Sequence, residues 1–190
     1  MIKNLTFLRI PKNASTSLYA FFGLANTIRN EYLNANNSKY LNVFEPSHCT
    51  LQEAKEILGD DVAKLPVLAV VRNPYDRMVS MFFFAKKHDL GQLYDISLDS
   101  FDNFVDGFYR ESKNPDFFHA NDSVTVCMFE NLKNEIYKFI CDNELSFNVN
   151  DLLKLNGTDH NNYKSYYTDK SKETVKKMWQ DDLTRFSYSF

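Results

Sequence analysis

The sequence predicts an α/β fold, a central, mostly parallel sheet flanked by helices, and three stretches carry that reading. The first is Leu5 to Leu18 (LTFLRIPKNASTSL), an apolar run that passes through a short loop into an amphipathic segment. The second is Val67 to Arg72 (VLAVVR), a continuous β-branched run of the kind covered on both faces, followed by the helix start Asn73-Pro74-Tyr75-Asp76. The third is Ser123 to Phe129 (SVTVCMF), a strand ahead of a helix opening near Asn131. At 190 residues, with 44% hydrophobic and 25% charged content, the chain suits one sizeable core, so residues 1–190 are expected to form a single domain.

In chain order, Leu5, Phe7, Leu8 and Ile10 suit a buried strand, and Pro11, which lacks a backbone N–H, should end its pairing. Lys12 then sits at the strand end. Ser15, Thr16 and Ser17 follow as cap and first-turn residues, and the exposed N–H groups with the helix dipole make a place for a phosphate or sulfate. An ordinary strand-to-helix connection with a solvated lysine has the same appearance. It is no Walker loop, which needs two glycines, since positions 1 to 22 contain none. Leu18, Phe21, Phe22, Ala25 and Ile28 recur at helical spacing and predict a helix over 16 to about 31.

Asn34 to Lys39 reads as a turn and Tyr40 to Phe44 as a short strand, leading to Glu45-Pro46-Ser47-His48. Thr50 and Glu53 make a capping box for a helix over Leu51 to Leu58, terminated by Gly59. After the strand that ends at Arg72, Asn73 is the cap, Pro74 the first helical residue and Asp76 a first-turn acid of a helix reaching about Lys87. Arg72 offers a planar fork matched to phosphate where a Walker-type enzyme would offer a magnesium-binding aspartate, so no metal is implied. Ser80 lies two turns into the helix and reaches the same anion only if the loop curls over it.

A helix is predicted from Asp99 to Glu111, a loop with Phe117, Phe118 and His119 over Asn114 to Asn121, and a helix after Asn131 with Ile136, Tyr137, Phe139 and Ile140 on its inner face. A polar aromatic linker, including Tyr163 to Asp169, leads to a last helix from Lys172 to about Leu183. In a doubly wound sheet, loops at the carboxyl ends of the strands converge on one crevice, which would gather Lys12, His48 and Arg72.

The net charge of −3 argues against a protein built to grip nucleic acid, which would carry a basic excess. Cys49, Cys127 and Cys141 are an odd set without paired spacing, pointing away from disulfides and zinc and towards a reducing compartment. No apolar run approaches 18 residues, and Met1-Ile2-Lys3 leads directly into the first strand, leaving no room for a signal peptide; a cytoplasmic enzyme with no membrane span is the expectation.

The pair PKNASTSL and VVRNPYDRMVSMF resembles the cofactor signature of sulfotransferases, most closely the family of heparan sulfate 2-O-sulfotransferase and related carbohydrate sulfotransferases. The phrase MFENL resembles the family's later strand-to-helix step. The resemblance implies a P-loop-NTPase-like sulfotransferase fold and the cofactor 3′-phosphoadenosine 5′-phosphosulfate (PAPS), with 3′-phosphoadenosine 5′-phosphate (PAP) as product. Carried over, Lys12, Asn13, Ala14, Ser15, Thr16 and Ser17 hold the sulfated end, and Arg72 and Ser80 hold the 3′-phosphate. A family loop near the C-terminus that closes over the nucleotide makes Lys164, with Tyr166 and Tyr167, further contact candidates. Catalysis falls to Lys12 and to His48, because the family places a histidine base between the two motifs; Glu45 is the competing base, since other sulfotransferases use a glutamate.

The expected partner is a hydroxyl-bearing acceptor, a glycan or glycolipid. Animal carbohydrate sulfotransferases usually carry a membrane anchor, and this sequence departs from them there. Two rivals remain at this stage: a nucleotide kinase or NTPase-like enzyme, disfavoured by the missing glycine loop and magnesium acid, and a non-catalytic nucleotide- or glycan-binding module on the same fold.

Overall fold

The computed structural model describes residues 5–22, 51–111, 124–155 and 157–190. Among them, strands β1 (Thr6–Leu8), β2 (Val67–Val71) and β3 (Val124–Met128) form a parallel sheet in the order β1-β2-β3. Thr6 lies opposite Val67, and Val67 opposite Val124. The central strand β2 is buried at every residue, as its unbroken apolar run requires, whereas β3 buries Val124 and Cys127 and exposes Thr125.

The α-helices are α1 (Ser15–Phe21), α2 (Leu51–Leu58), α3 (Pro74–Lys87), α4 (Gly91–Tyr94), α5 (Phe101–Glu111), α6 (Leu132–Asp142), α7 (Asp169–Met178) and α8 (Gln180–Arg185). The described residues within Met1–Val71 and Phe117–Asn156 make one compact unit, and those within Arg72–Asp116 and Gly157–Phe190 a second.

The first unit contains the sheet, α1, α2 and α6. Its core joins Leu5 and Phe7 of the β1 segment, Leu18 of α1, Leu68 and Val70 of β2, and Ile136 and Phe139 of α6. Gly59 follows α2 at φ 86 with its N–H on Lys55 O, the left-handed stop that a glycine takes without a Cβ clash. Helix α1 is shorter than predicted. It closes at Phe21, and Phe22 caps it and turns its ring towards Phe7 and Phe147, with centroids 6.3 and 5.1 Å away. The predicted continuation over 23–31, the strand Tyr40 to Phe44, the Thr50 side of the α2 capping box and the loop Asn114 to Asn121 lie outside the described residues.

Helix α6 follows a 3-10 turn, Phe129–Asn131, and Asn131 does not cap it as predicted: no backbone N–H reaches its side chain, which accepts instead from Asn134 Nδ2 at 2.7 Å. Tyr137, predicted on the inner face, is 58% exposed, because the buried stripe is Ile136, Phe139 and Ile140, three and four residues apart.

The second unit contains α3, α4, α5, α7 and α8. Helix α3 begins as its sequence dictates: the Asn73 side chain accepts from Tyr75 N at 3.0 Å, Pro74 occupies the first turn, and Lys86 and Lys87 close the far end. The short helix α4 was not foreseen. Gly107 of α5 lets Ile96 approach, since a Cβ there would lie 2.9 Å from Ile96 Cγ2. The single last helix predicted from Lys172 to Leu183 is two, α7 and α8, broken at Trp179 (φ −127, ψ 39), whose indole is fully buried.

Candidate active site

In the first unit the loop between β1 and α1 bends sharply without glycine. Lys12 (φ 64) and Ala14 (φ 57) both adopt left-handed backbone, on either side of Asn13, whose N–H reaches Ile10 O at 3.2 Å. Ala14, not a serine or threonine, occupies the N-cap position of α1 and makes no side-chain cap bond, which corrects the capping role expected of Ser15, Thr16 and Ser17. Those three residues form the first helical turn instead. The first helical bond runs from Leu18 N to Ala14 O, so the turn's own N–H groups lie ahead of the helical ladder.

Two long-range bonds hold the loop. Asn13, 3% exposed, donates from Nδ2 to Val70 O at 2.8 Å, fastening the first motif to the strand that leads into the second; among the described residues its Oδ1 has no hydrogen-bond partner. Ser17 Oγ accepts from Leu155 N at 2.8 Å and donates to Leu155 O at 3.4 Å. That hydroxyl thus fastens the 152–155 segment. Lys12 and Thr16 are half-buried, Ser15 buried.

In the second unit Arg72 precedes α3 and is clamped by Asp76: both Nε (2.8 Å) and Nη2 (2.7 Å) donate to Asp76 Oδ2. Ser80 is buried, and its Oγ lies 3.0 Å from Thr158 Oγ1. Asn73, beside Arg72, donates from Nδ2 to Ser189 O at 2.9 Å and to Tyr163 Oη at 3.5 Å, which joins the arginine's neighbourhood to that of Lys164. The Lys164 ammonium is exposed and stands 5.4 Å from the Phe190 ring centre and 5.9 Å from that of Tyr163.

The tyrosines of the same loop have settled partners. Tyr167 Oη donates to Tyr75 O at 2.9 Å, and burial, with smaller contributions from Tyr75, Asp76 and Tyr163, drives its phenol far above the usual range, so it acts as a neutral donor. Burial likewise raises the Tyr75 phenol, with Glu173 and Tyr163 adding to it. Tyr166 Oη accepts from Asn161 N at 3.0 Å.

The base candidates His48 and Glu45 lie outside the described residues. Asp76, Thr158 and His160 gather around Arg72 and Ser80, and the expected site did not include them. The spacing of Asp76, in the first turn of α3 and four residues after Arg72, was a readable pairing signal. Thr158 and His160 belong to no motif, and only the fold brings them to α3.

No curated protein matches the chain. Solved structures that match include mouse sulfotransferase SULT7A1 complexed with PAP, which is 12% identical over 95% of this chain and 83% of its own, with a TM-score of 0.47. The family model for the sulfotransferase domain matches residues 2–125 of the 190, a span that runs from β1 through both motifs. The chain therefore belongs to the sulfotransferase domain family.

Proposed function

We propose that this sulfotransferase moves the sulfuryl group of PAPS to a carbohydrate hydroxyl, that residues 1–190 act as one domain, and that it works in the cytoplasm. Family membership makes the chain an enzyme of sulfuryl transfer from PAPS to a hydroxyl-bearing acceptor. The observation that carries the reading is the β1–α1 loop, whose bend at Lys12 and Ala14 sets the first-turn N–H groups of α1 ahead of the helical ladder. The sugar acceptor is supported by the likeness of both motifs to those of carbohydrate sulfotransferases. The compartment is supported by Cys127 and Cys141, both free thiols.

The residues fit the cofactor's chemistry. PAPS is anionic at both ends. The β1–α1 loop offers an ammonium, hydroxyls and the first-turn N–H groups of α1, and the start of α3 offers a guanidinium held in one plane by Asp76. Bound, the cofactor supplies an activated sulfuryl group on a phosphate leaving group. In this reading Lys12 and the N–H groups of residues 14–17 hold the 5′ end and offset negative charge growing there. Arg72, Ser80 and Lys164 hold the 3′-phosphate, and that remote grip fixes the reacting end against the acceptor. His48 takes the acceptor's hydroxyl proton, a role typically worth about 10²–10⁴-fold.

The test is radiolabelled transfer from PAPS to a panel of mono- and oligosaccharides, with phenols and aliphatic alcohols alongside. Labelled sugar is the expected product, and Lys12→Ala and His48→Ala should each lower kcat by about 10²-fold or more. Transfer only to phenols would overturn the carbohydrate acceptor. Full activity in His48→Ala with loss in Glu45→Ala would move the base to Glu45.

A further inference from the structure

We infer that Asn13 is a positioning residue for Lys12: its side-chain amide takes the place of the backbone donor that β1 stops short of offering to Val70 O, and so ties the lysine's backbone to the sheet. The inference rests on the PAPS reading above, and it gives Asn13 a part in holding the 5′ end without touching the cofactor.

Backbone carbonyls alternate sides along a strand. Pro66 O takes Thr6 N at 2.9 Å on the β1 edge, so Val70 O, four residues on, points to that edge as well. The pairing of β1 with β2 stops at Leu8 opposite Ala69, and the donor that would come next in register is Ile10 N. The chain has already left the sheet there, and Asn13 Nδ2 meets Val70 O at 2.8 Å instead. A carbonyl only accepts, which fixes the amide's nitrogen towards it. Asn13 is 3% exposed, and among the described residues its Oδ1 has no hydrogen-bond partner, so the donor is the half of the amide that the fold uses.

Lys12 is the residue that this bond steadies. Lys12 (φ 64) and Ala14 (φ 57) flank Asn13 in left-handed backbone, and neither is a glycine. Residues in that region keep it where the surroundings hold them there. Asn13 supplies the hold, with its N–H on Ile10 O at 3.2 Å and its side chain on the sheet. Its backbone N–H and its amide nitrogen are thus turned to the protein and not to a ligand. A lysine ammonium swings on a flexible four-carbon stem, so the volume it can reach is set by where its backbone is fixed. Displacing a positioned group by about 1 Å can cost about 10²-fold, and a loop bolted to the sheet one residue from the lysine prevents that displacement.

The experiment compares two probes that differ only in the 5′-phosphate, PAP and adenosine 3′-phosphate, titrated into the full chain at pH 8 and at pH 5.5. Asn13→Ala should weaken PAP by about tenfold and leave adenosine 3′-phosphate unchanged within about twofold. Asn13→Asp keeps the shape of the side chain. As a carboxylate it offers Val70 O only acceptors, and as a neutral acid, which burial favours, it donates an O–H. Its preference for PAP, taken as a ratio to wild type at the same pH, should therefore be low at pH 8 and recover at pH 5.5, while Asn13→Ala shows no recovery. If both variants keep the wild-type preference at both pH values while Lys12→Ala abolishes it, the inference fails with the cofactor reading intact. A loss shared equally by the two probes, without acid recovery in Asn13→Asp, makes the amide a support of the fold alone and also overturns it. If Lys12→Ala itself leaves the preference unchanged, the 5′-end assignment fails and takes this inference with it.

Discussion

Ala14 carries the sharpest local demand in the first loop, because an L-residue at φ 57 brings its Cβ close to the following carbonyl. Alanine, unbranched at Cβ, tolerates this better than a β-branched side chain, which tolerates it least. Ala14→Val should therefore lower unfolding free energy by about 2 kcal/mol, read from the denaturant midpoint. Cys127 makes a second demand: burial, reinforced by Glu135 and only partly offset by Lys138, pushes its thiol up to about 12 from 9.0. The folded state thus holds this proton more tightly than the unfolded chain. The resulting stability is complete below pH 9 and is lost as pH climbs towards 12, with a slope approaching about 1.4 kcal/mol per pH unit. Cys127→Ala should flatten that alkaline limb. In native protein at pH 8, site-resolved alkylation should modify exposed Cys141 and spare buried Cys127.

Among the elements, α3 and α7 show two kinds of helix start. The start of α3 was readable because Asn73, Pro74 and Asp76 act on backbone within one turn of themselves. The start of α7 lies three residues ahead of the predicted Lys172. Thr168 caps it through a reciprocal box with Ser171, whose serine hydroxyl stands in for the usual glutamate or glutamine. Thr168 Oγ1 also donates towards Asp102 of α5, with both carboxylate oxygens at 3.0 Å, and Lys170 pairs with Asp106 one turn further along α5. Thr168→Ala removes a cap and an interhelix bond together and should cost about 1–2 kcal/mol in chemical denaturation, where Thr168→Ser should restore most of it. The break at Trp179 has no local marker, since Met178-Trp179-Gln180 is compatible with a continuous helix. Burial of the indole, with Arg77 5.2 Å from its ring centre, sets the turn there.

For the whole molecule, anything that binds only the folded chain stabilises it by mass action. PAP at 100 times its dissociation constant should add about 2.7 kcal/mol and raise the melting temperature. Lys12→Ala and Arg72→Ala should each lose most of that shift, while Lys87→Ala, at the exposed far end of α3, should keep it. A shift that survived both substitutions would detach the nucleotide from the two motifs. The alternation of strand and helix follows from apolar runs that need cover on both faces, which is why the α/β class was legible before any coordinates.

The amino-acid sequence alone determined the elements whose causes are local: the buried run of β2, the Asn73-Pro74 start of α3, the glycine stop after α2, and the lysine loop that resembled a sulfotransferase motif. The tertiary structure alone decided which distant groups meet. Asn13 reaches Val70 across 57 positions, Ser80 meets Thr158 across 78, and Ser17 holds Leu155 across 138. Caps and periodicity act over one or two turns of backbone, so they are written where they operate. A hydroxyl or amide carries no mark of its partner, and its pairing is chosen by how the packed elements bring the two together.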